Sequence, residues 1–445
     1  MGLGGDCREL TIRWHGYVVL SGVELVGGLI MSSRRTACIV TGTAILALAS
    51  WPLVAQQKPA SGPVARYDMR AGTITGAGGM AGMGRGGGMA MMFGGGGGSR
   101  LQRELYLRLG SSQTPTSGAP KADHFMPPAA RLGVSVPLLT PQIERAPSEF
   151  GGGERPKGRM LIFWGCGEHA PAGQPVVIDF AKLAAGQMPP GLWTTTILRD
   201  WGPAPGNSRT FGRWPNEDAM GGNRAIKPDA SLIGLHRVTG NYSPQITFTL
   251  SKDFMGPLNV SSGVTPGGGL LLRWNAVTDV TGYYATLFGG SEGRGGDMGD
   301  VVMWSSSASK QFGGGLSDWL SPGQIAGLVR ERVVLPPTTT TCIVPAEVRN
   351  ATQFRMGTLT AYGPEESFAY PARPADPRAV WNLVWTARIR HRSTTSWMDM
   401  PGMSGGGYGE DDSNERPRPQ GKPACKPRGG LGGMLGGVLG GGSGC

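Results

Sequence analysis

LLLRWNAVTDVTGYYATLFGG, residues 270–290, is the stretch on which the fold turns. Leu270, Leu272 and Trp274 recur at every second position, the period at which side chains of an extended strand share one face. Asn275 to Gly282 carries the polar and glycine residues of a turn. Tyr283, Ala285 and Leu287 then resume the alternation. The spacing predicts two half-buried strands joined by a short turn.

The same pattern extends outward in both directions. Upstream, Leu105, Leu107 and Leu109 alternate, and Gly133 to Leu139 is a second short candidate. Arg159 to Trp164, Pro175 to Phe180 and Leu192 to Leu198 follow. Ile246, Phe248 and Leu250 then alternate with Thr247 and Thr249. Downstream, Val301 to Trp304, Thr338 to Val344, Phe354 to Ala361 and Val380 to Arg390 read as strands, with Trp385, Ala387 and Ile389 on one face. Ser321-Pro322 reads as an N-cap with proline at N1, opening a short helix through about Arg330. Many short strands punctuated by Gly, Pro and Asn indicate an all-β sandwich or barrel.

Residues 270–290 resemble fibronectin type III and related immunoglobulin-like modules, in which an apolar strand ends in a core tryptophan and a tyrosine opens the next strand. The resemblance implies that Trp274 packs and takes no part in catalysis. The inserted helix departs from that pattern. The expectation is an all-β chain of two β-sandwich units in series, 100–261 and 262–397. The hinge SGVTPGGG, Ser262 to Gly269, opens the second.

The ends of the chain read differently. Met31 to Gln57, MSSRRTACIVTGTAILALASWPLVAQQ, has the charged start, the apolar core and the small residues before a cleavage point of a secretory signal. Residues 1–30 are then an N-terminal extension outside the fold, 31–55 a signal peptide cleaved after Ala55, and the mature chain periplasmic or displayed at the cell surface. Of the 445 residues, 77 are glycine and 35 proline. The glycine concentrates in 76–98 and 405–444, a composition that cannot bury enough surface to offset chain entropy. Residues 56–99 are therefore expected to be a disordered Gly/Met-rich linker and 398–445 a disordered tail.

Removal of 1–55 changes the net charge only from +11 to +10. That balance favours anionic partners such as acidic glycans. The basic residues are scattered, however, without the clustered patch and interleaved aromatics of a nucleic-acid interface, so nucleic acid is excluded as a partner. No apolar run of about 20 residues remains to span a membrane.

Chemistry-bearing residues are sparse. His124, His169, His236 and His391 are scattered and form no HExxH or HxH pair, against a dedicated zinc site. Gly289-Gly290-Ser291-Glu292-Gly293 fits GxSxG, but the glycine-rich sequence after it is no helix former, as a nucleophile elbow requires. Cys166-Gly167-Glu168-His169 groups a thiol, a carboxylate and an imidazole, among flanking residues suited to a turn. Cys166 and Cys342 could pair across the core or remain buried thiols, and Cys425 and Cys445 could close the tail. The tryptophans read mainly as core, with an exposed one able to stack on a sugar ring.

Met398, Met400 and Met403, in MDMPGM, are soft thioether donors of the kind that select Cu(I). The run is similar to methionine motifs of periplasmic copper-handling proteins, without their histidines. The leading expectation is an exported, non-enzymatic binding or scaffolding protein of the bacterial cell envelope or surface, with an envelope protein or glycan as partner and no cofactor. The alternative is periplasmic copper binding through the methionine segments.

Overall fold

Strand β12 (Gly282–Glu292) and strand β11 (Leu270–Trp274) realise the alternation read at 270–290. Leu270, Leu272, Trp274, Tyr283, Ala285 and Leu287 are all buried, and the Trp274 and Tyr283 rings lie 5.6 Å apart. The two strands belong to different sheets, so the turn between them carries the chain from one layer to the other. The computed structural model describes residues 62–76, 101–141, 158–187, 198, 202–215, 226–292, 298–313 and 315–399. All of them fall in the unit Gln57–Cys445.

Among the described residues, three sheets make up an all-β architecture with a few short helices. The largest has nine strands. Five come from the first part of the chain: β1 (Ala65–Gly76), β2 (Gln102–Ser111), β5 (Arg159–Trp164), β6 (Val176–Asp179) and β7 (Thr210–Trp214). The others are β12, β13 (Met298–Ser305), β15 (Phe354–Tyr370) and β16 (Trp385–Asp399). Their order is β6-β5-β13-β12-β15-β16-β1-β2-β7. A four-stranded sheet contains β3 (Ala122–Phe125), β4 (Ser135–Pro137), β8 (Gly234–Gly240) and β9 (Ser243–Leu250), ordered β4-β3-β8-β9. A three-stranded sheet places β11 between β10 (Val260–Val264) and β14 (Thr341–Val344).

Both small sheets cover the same face of the large one. Along β16, Trp385, Ala387 and Ile389 enter the core shared with the four-stranded sheet. Trp397, of the same parity, enters the core shared with the three-stranded sheet. The segment 251–259 crosses that face between the two cores. Thr73 donates to Met255 O (2.6 Å), Arg103 donates to the same oxygen (2.9 Å), and Thr75 donates to Leu258 O.

Helix α2 (Pro322–Arg330) covers part of the opposite face. Its Ile325 and Leu328 pack with Leu316, Leu320, Val333 and Val334 onto Tyr284 and Tyr362. Ser321 caps it as expected, in a capping box with Gln324. Two shorter helices, α1 (Phe180–Ala184) and α3 (Ala346–Asn350), follow β6 and β14.

Two expectations need correction. The linker expected over 56–99 contains β1, which lies between β16 and β2 near the middle of the nine-stranded sheet. Its Ala65, Tyr67, Met69 and Ala71 are buried in the first core. The division into separate units at 261/262 also fails. The large sheet takes strands from both sides of that boundary, and β10 straddles it. Leu161 and Phe163 of β5 help fill the core under the three-stranded sheet. The physical reason is length: β15 and β16, of 17 and 15 residues, are long enough to run beneath both small sheets. The expected strand at 192–198 lies outside the described residues, apart from Leu198.

Candidate functional site

The Cys166-Gly167-Glu168-His169 turn follows β5 and is fastened to β14 and α3. Cys166 and Cys342 form a disulfide, which decides between the two readings of that pair and removes the thiol as a nucleophile. Gly167 N–H donates to Ile343 O (2.9 Å), and Ala346 N–H donates to Glu168 O (2.9 Å). The Glu168 carboxylate accepts from Thr265 (2.6 Å). His169 pairs with Glu347 at 3.1 Å, and Glu347 also accepts from Ala170 N–H (2.8 Å). Those bonds hold the Glu347 carboxyl below its ordinary pKa against the opposing cost of desolvation. The cluster works as a latch. Ser291 lies within strand β12 and accepts from Asp300 N–H in the hairpin to β13, so no strand-to-helix elbow is present there.

Sequence reading placed His124 and His236 apart, 112 residues from one another, and the fold joins them in the first core. Tyr67 OH lies 2.6 Å from His124 Nδ1, His124 Nε2 lies 3.0 Å from His236 Nδ1, and His236 Nε2 lies 2.7 Å from Leu232 O. The direction of the chain follows from its end. Leu232 O can only accept, so His236 carries its proton on Nε2 and accepts at Nδ1. His124 does the same, and Tyr67 donates. Burial pushes the pKa of both imidazoles down and that of the Tyr67 phenol up. Phe248 stacks on His236 with centroids 5.2 Å apart. Every member is neutral and engaged, so this is a polar core network closed to ligands. No sequence signal short of the strand pairing could have found it.

The outward face of β16 carries Arg388, Arg390 and Arg392. Asp68 accepts from Arg70 (2.9 Å) and from Arg388 (2.7 Å), Arg390 pairs with Glu365 (2.9 Å), and Arg392 pairs with Glu104 (3.0 Å). Trp319 closes the row: Arg392 stacks 4.0 Å above its ring, and Arg390 donates to its backbone oxygen. Asp68, Arg70, Glu104 and Arg390 are buried. Asp318, 3.6 Å from Arg70, completes the row as four guanidinium groups against four carboxylates, so those groups are already spoken for.

Most of the described tryptophans pack, as expected: Trp274, Trp304, Trp319, Trp385 and Trp397 are buried. Trp381 differs. It lies in the connection 371–384 between β15 and β16, a largely exposed segment at the end of the longest hairpin. Its Nε1 donates to Pro371 O (3.0 Å), and the Arg373 guanidinium sits 5.8 Å from its ring. At the base of the loop Tyr370, 56% exposed, stacks on Trp385 with centroids 6.0 Å apart and planes 18° from parallel. Arg373, Asp376 and Arg378 surround these rings in sequence. Aromatic faces held by backbone bonds, with charged groups beside them, can stack on and hydrogen-bond a polar partner. This is the candidate binding surface.

Of the methionines expected to bind metal, Met398 lies at the end of β16, half-buried, beside Met356 of β15 in the strand register. Met400 and Met403 lie outside the described residues. Among the described residues no group of three or more His, Cys, Asp or Glu side chains could hold a metal ion. No described helix is long and apolar enough to cross a membrane. Comparison with family models, with curated proteins and with solved structures found no match to this chain.

Proposed function

We propose that the chain is an exported, non-enzymatic binding or scaffolding protein of the cell envelope or surface, and that it engages its partner through the 371–384 loop. The observation that carries the binding reading is the exposed Tyr370 and Arg373 with the half-buried Trp381 between them and β16, on the loop joining β15 to β16. Loops presented by a rigid framework are where binding concentrates. Here the framework is one sheet common to both cores. The disulfide Cys166–Cys342 supports export, because such bonds persist in oxidising compartments.

The fibronectin type III-like reading of residues 262–397 finds support in the strand order. The sheet β10-β11-β14 shares a core with β13-β12-β15-β16, giving seven strands in two facing layers, as in immunoglobulin-type sandwiches. Strands β5 and β6 on one flank and β1, β2 and β7 on the other extend the second layer.

Binding of the full chain to isolated envelope fractions and to glycan arrays tests the proposal, with Trp381→Ala and Tyr370→Ala as variants. Retention that falls at least tenfold in both supports it. Retention unchanged in both, or no retention by the parent chain, overturns it. Thiol trapping of Cys166 and Cys342 in whole cells tests the compartment, and finding both reduced would remove the support for export.

A further inference from the structure

One row across the outward face of the nine-stranded sheet gathers three methionines and a phenylalanine, beside the apolar row of Phe354, Gly290 and Val301. In register it runs Met398 (β16), Met356 (β15), Phe288 (β12) and Met303 (β13). Phe288 is 47% exposed and Met356 46%, while Met398 and Met303 are half-buried. The next outward positions on β15 and β16 are Thr358 and Ser396, ordinary polar surface residues. The apolar contacts of α2 and its neighbouring segment are with Tyr284 and Tyr362, farther along the same strands, while beyond Met303 the row continues to Ile162 of β5, in the cluster against which Phe312 packs.

Adjacent strands stand about 4.8 Å apart, so the side chains of Met356 and Met398 emerge next to one another on one face. Each has three rotatable bonds before its methyl group, and the two sulfurs can converge without moving backbone. Phe288 flanks Met356 on the other side, and the negative face of an aromatic ring attracts a cation. Met303 lies beyond it. The nearest charges in register, Arg355 and Asp399, are paired with each other at 2.9 Å. The row therefore offers soft, neutral donors and no free carboxylate.

We infer that Met356 and Met398, flanked by Phe288 and Met303, form a surface site for a soft monovalent cation of the Cu(I) or Ag(I) type. Thioether sulfur selects such ions, whereas Zn(II), Mg(II) and Ca(II) prefer nitrogen, thiolate or oxygen donors that the row lacks. The chain's net charge of +11 repels cations in general. Binding would rest on sulfur coordination and be little affected by salt. The site lies away from the 371–384 loop and does not depend on the reading given to that loop.

Ag(I) is the probe of choice because it needs no reductant, so the disulfide stays closed. The full chain, with free thiols first blocked by N-ethylmaleimide, would be titrated by calorimetry beside a Met356→Leu/Met398→Leu variant. In parallel, the labelled methionine methyl groups of the parent chain would be followed by NMR. The expected result is at least a tenfold weakening of the tightest site in the variant, with shifts at the Met356 and Met398 methyls that Zn(II) does not cause. Equal Ag(I) affinity in parent and variant, or no shift at those two methyls, overturns the inference. The methyl shifts, read on the parent chain, decide the matter even if the variant folds poorly.

Discussion

Gly357 lies directly against the indole of Trp397, its register partner on β16: a Cβ on the glycine would stand 2.0 Å from the ring. The contact lets Trp397 lie over β15 within the core beneath the three-stranded sheet. Gly357→Ala must displace the indole. It is expected to cost about 1–3 kcal/mol, the usual penalty for overpacking. Urea unfolding followed by tryptophan fluorescence measures it. Adding Trp397→Leu should recover part of the loss, and a fully additive double variant would argue against this contact as the cause.

The Tyr67–His124–His236 chain makes stability depend on pH in a stated direction. Buried imidazoles with lowered pKa stay neutral in the folded state, while in the unfolded chain they take up protons near pH 6.5. The buried His391 is also shifted down, first by desolvation and against the opposing pull of Glu366. The unfolded state therefore binds more protons as pH falls below about 6.5. Stability declines from there by up to about 1.4 kcal/mol per pH unit for each neutral histidine. Urea midpoints at pH 7.5, 6.5 and 5.5 test this, and a flat profile would refute it.

Tyr67→Phe removes the donor at the head of the same chain and leaves His124 Nδ1 buried without it. The expected loss is about 1–3 kcal/mol at pH 7.5, the cost of an unsatisfied buried acceptor. Thermal unfolding of the variant reads it directly. A variant as stable as the parent would mean that water reaches His124.

Opening the disulfide should be costly because it closes a long loop, with its cysteines 176 residues apart. Replacing both Cys166 and Cys342 by Ala is expected to lower stability by about 2–5 kcal/mol. The latch around Glu168 and Glu347 should hold the local geometry in the variant, so far-UV dichroism should be unchanged while the melting temperature falls.

Asp68 is shared by Arg70 and Arg388 on a buried face of the sheet. Asp68→Ala takes away the carboxylate shared by the two guanidinium groups and leaves Arg70 with the more distant Asp318 at 3.6 Å, with an expected cost of about 3–5 kcal/mol. Replacing Asp68 and Arg388 together by apolar residues should cost less than Asp68→Ala alone. Chemical denaturation of the three proteins compares them.

The strands most legible in sequence are those with a clear in/out alternation or, as in RMLIFW, a continuous apolar run buried on both faces. RMLIFW at 159–164, PVVIDF and the ITFTL run all sit where these patterns put them, and the Trp274 and Tyr283 pair packs as the resemblance implied. The helix at 322–330 was legible from its cap. Strand β1 was not. Its inward residues include the small Ala65, Ala71, Thr73 and Thr75, and its outward ones are Arg66, Asp68 and Arg70, so ARYDMRAGTITG looks like surface chain beside a glycine tract. Asp68 is neutralised by Arg70 on the same strand and by Arg388, 320 residues away, and no local pattern carries the second pairing. The candidate loop was overlooked for a related reason. Trp381 was counted within an expected strand at 380–390, whereas β16 begins only at Trp385.

The parallel pairing of β1 with β16 sets a constraint on the history of each molecule. Ala65 meets Trp385 and Gly76 meets Ser396, so β1, the first of the described strands, waits for the last of them. Until then β1 has an open edge, and contacts this distant in sequence form slowly. The large sheet cannot be completed vectorially; it closes only when β16 is delivered. A polypeptide built in this way holds its largest sheet in two unjoined pieces for as long as β16 is withheld.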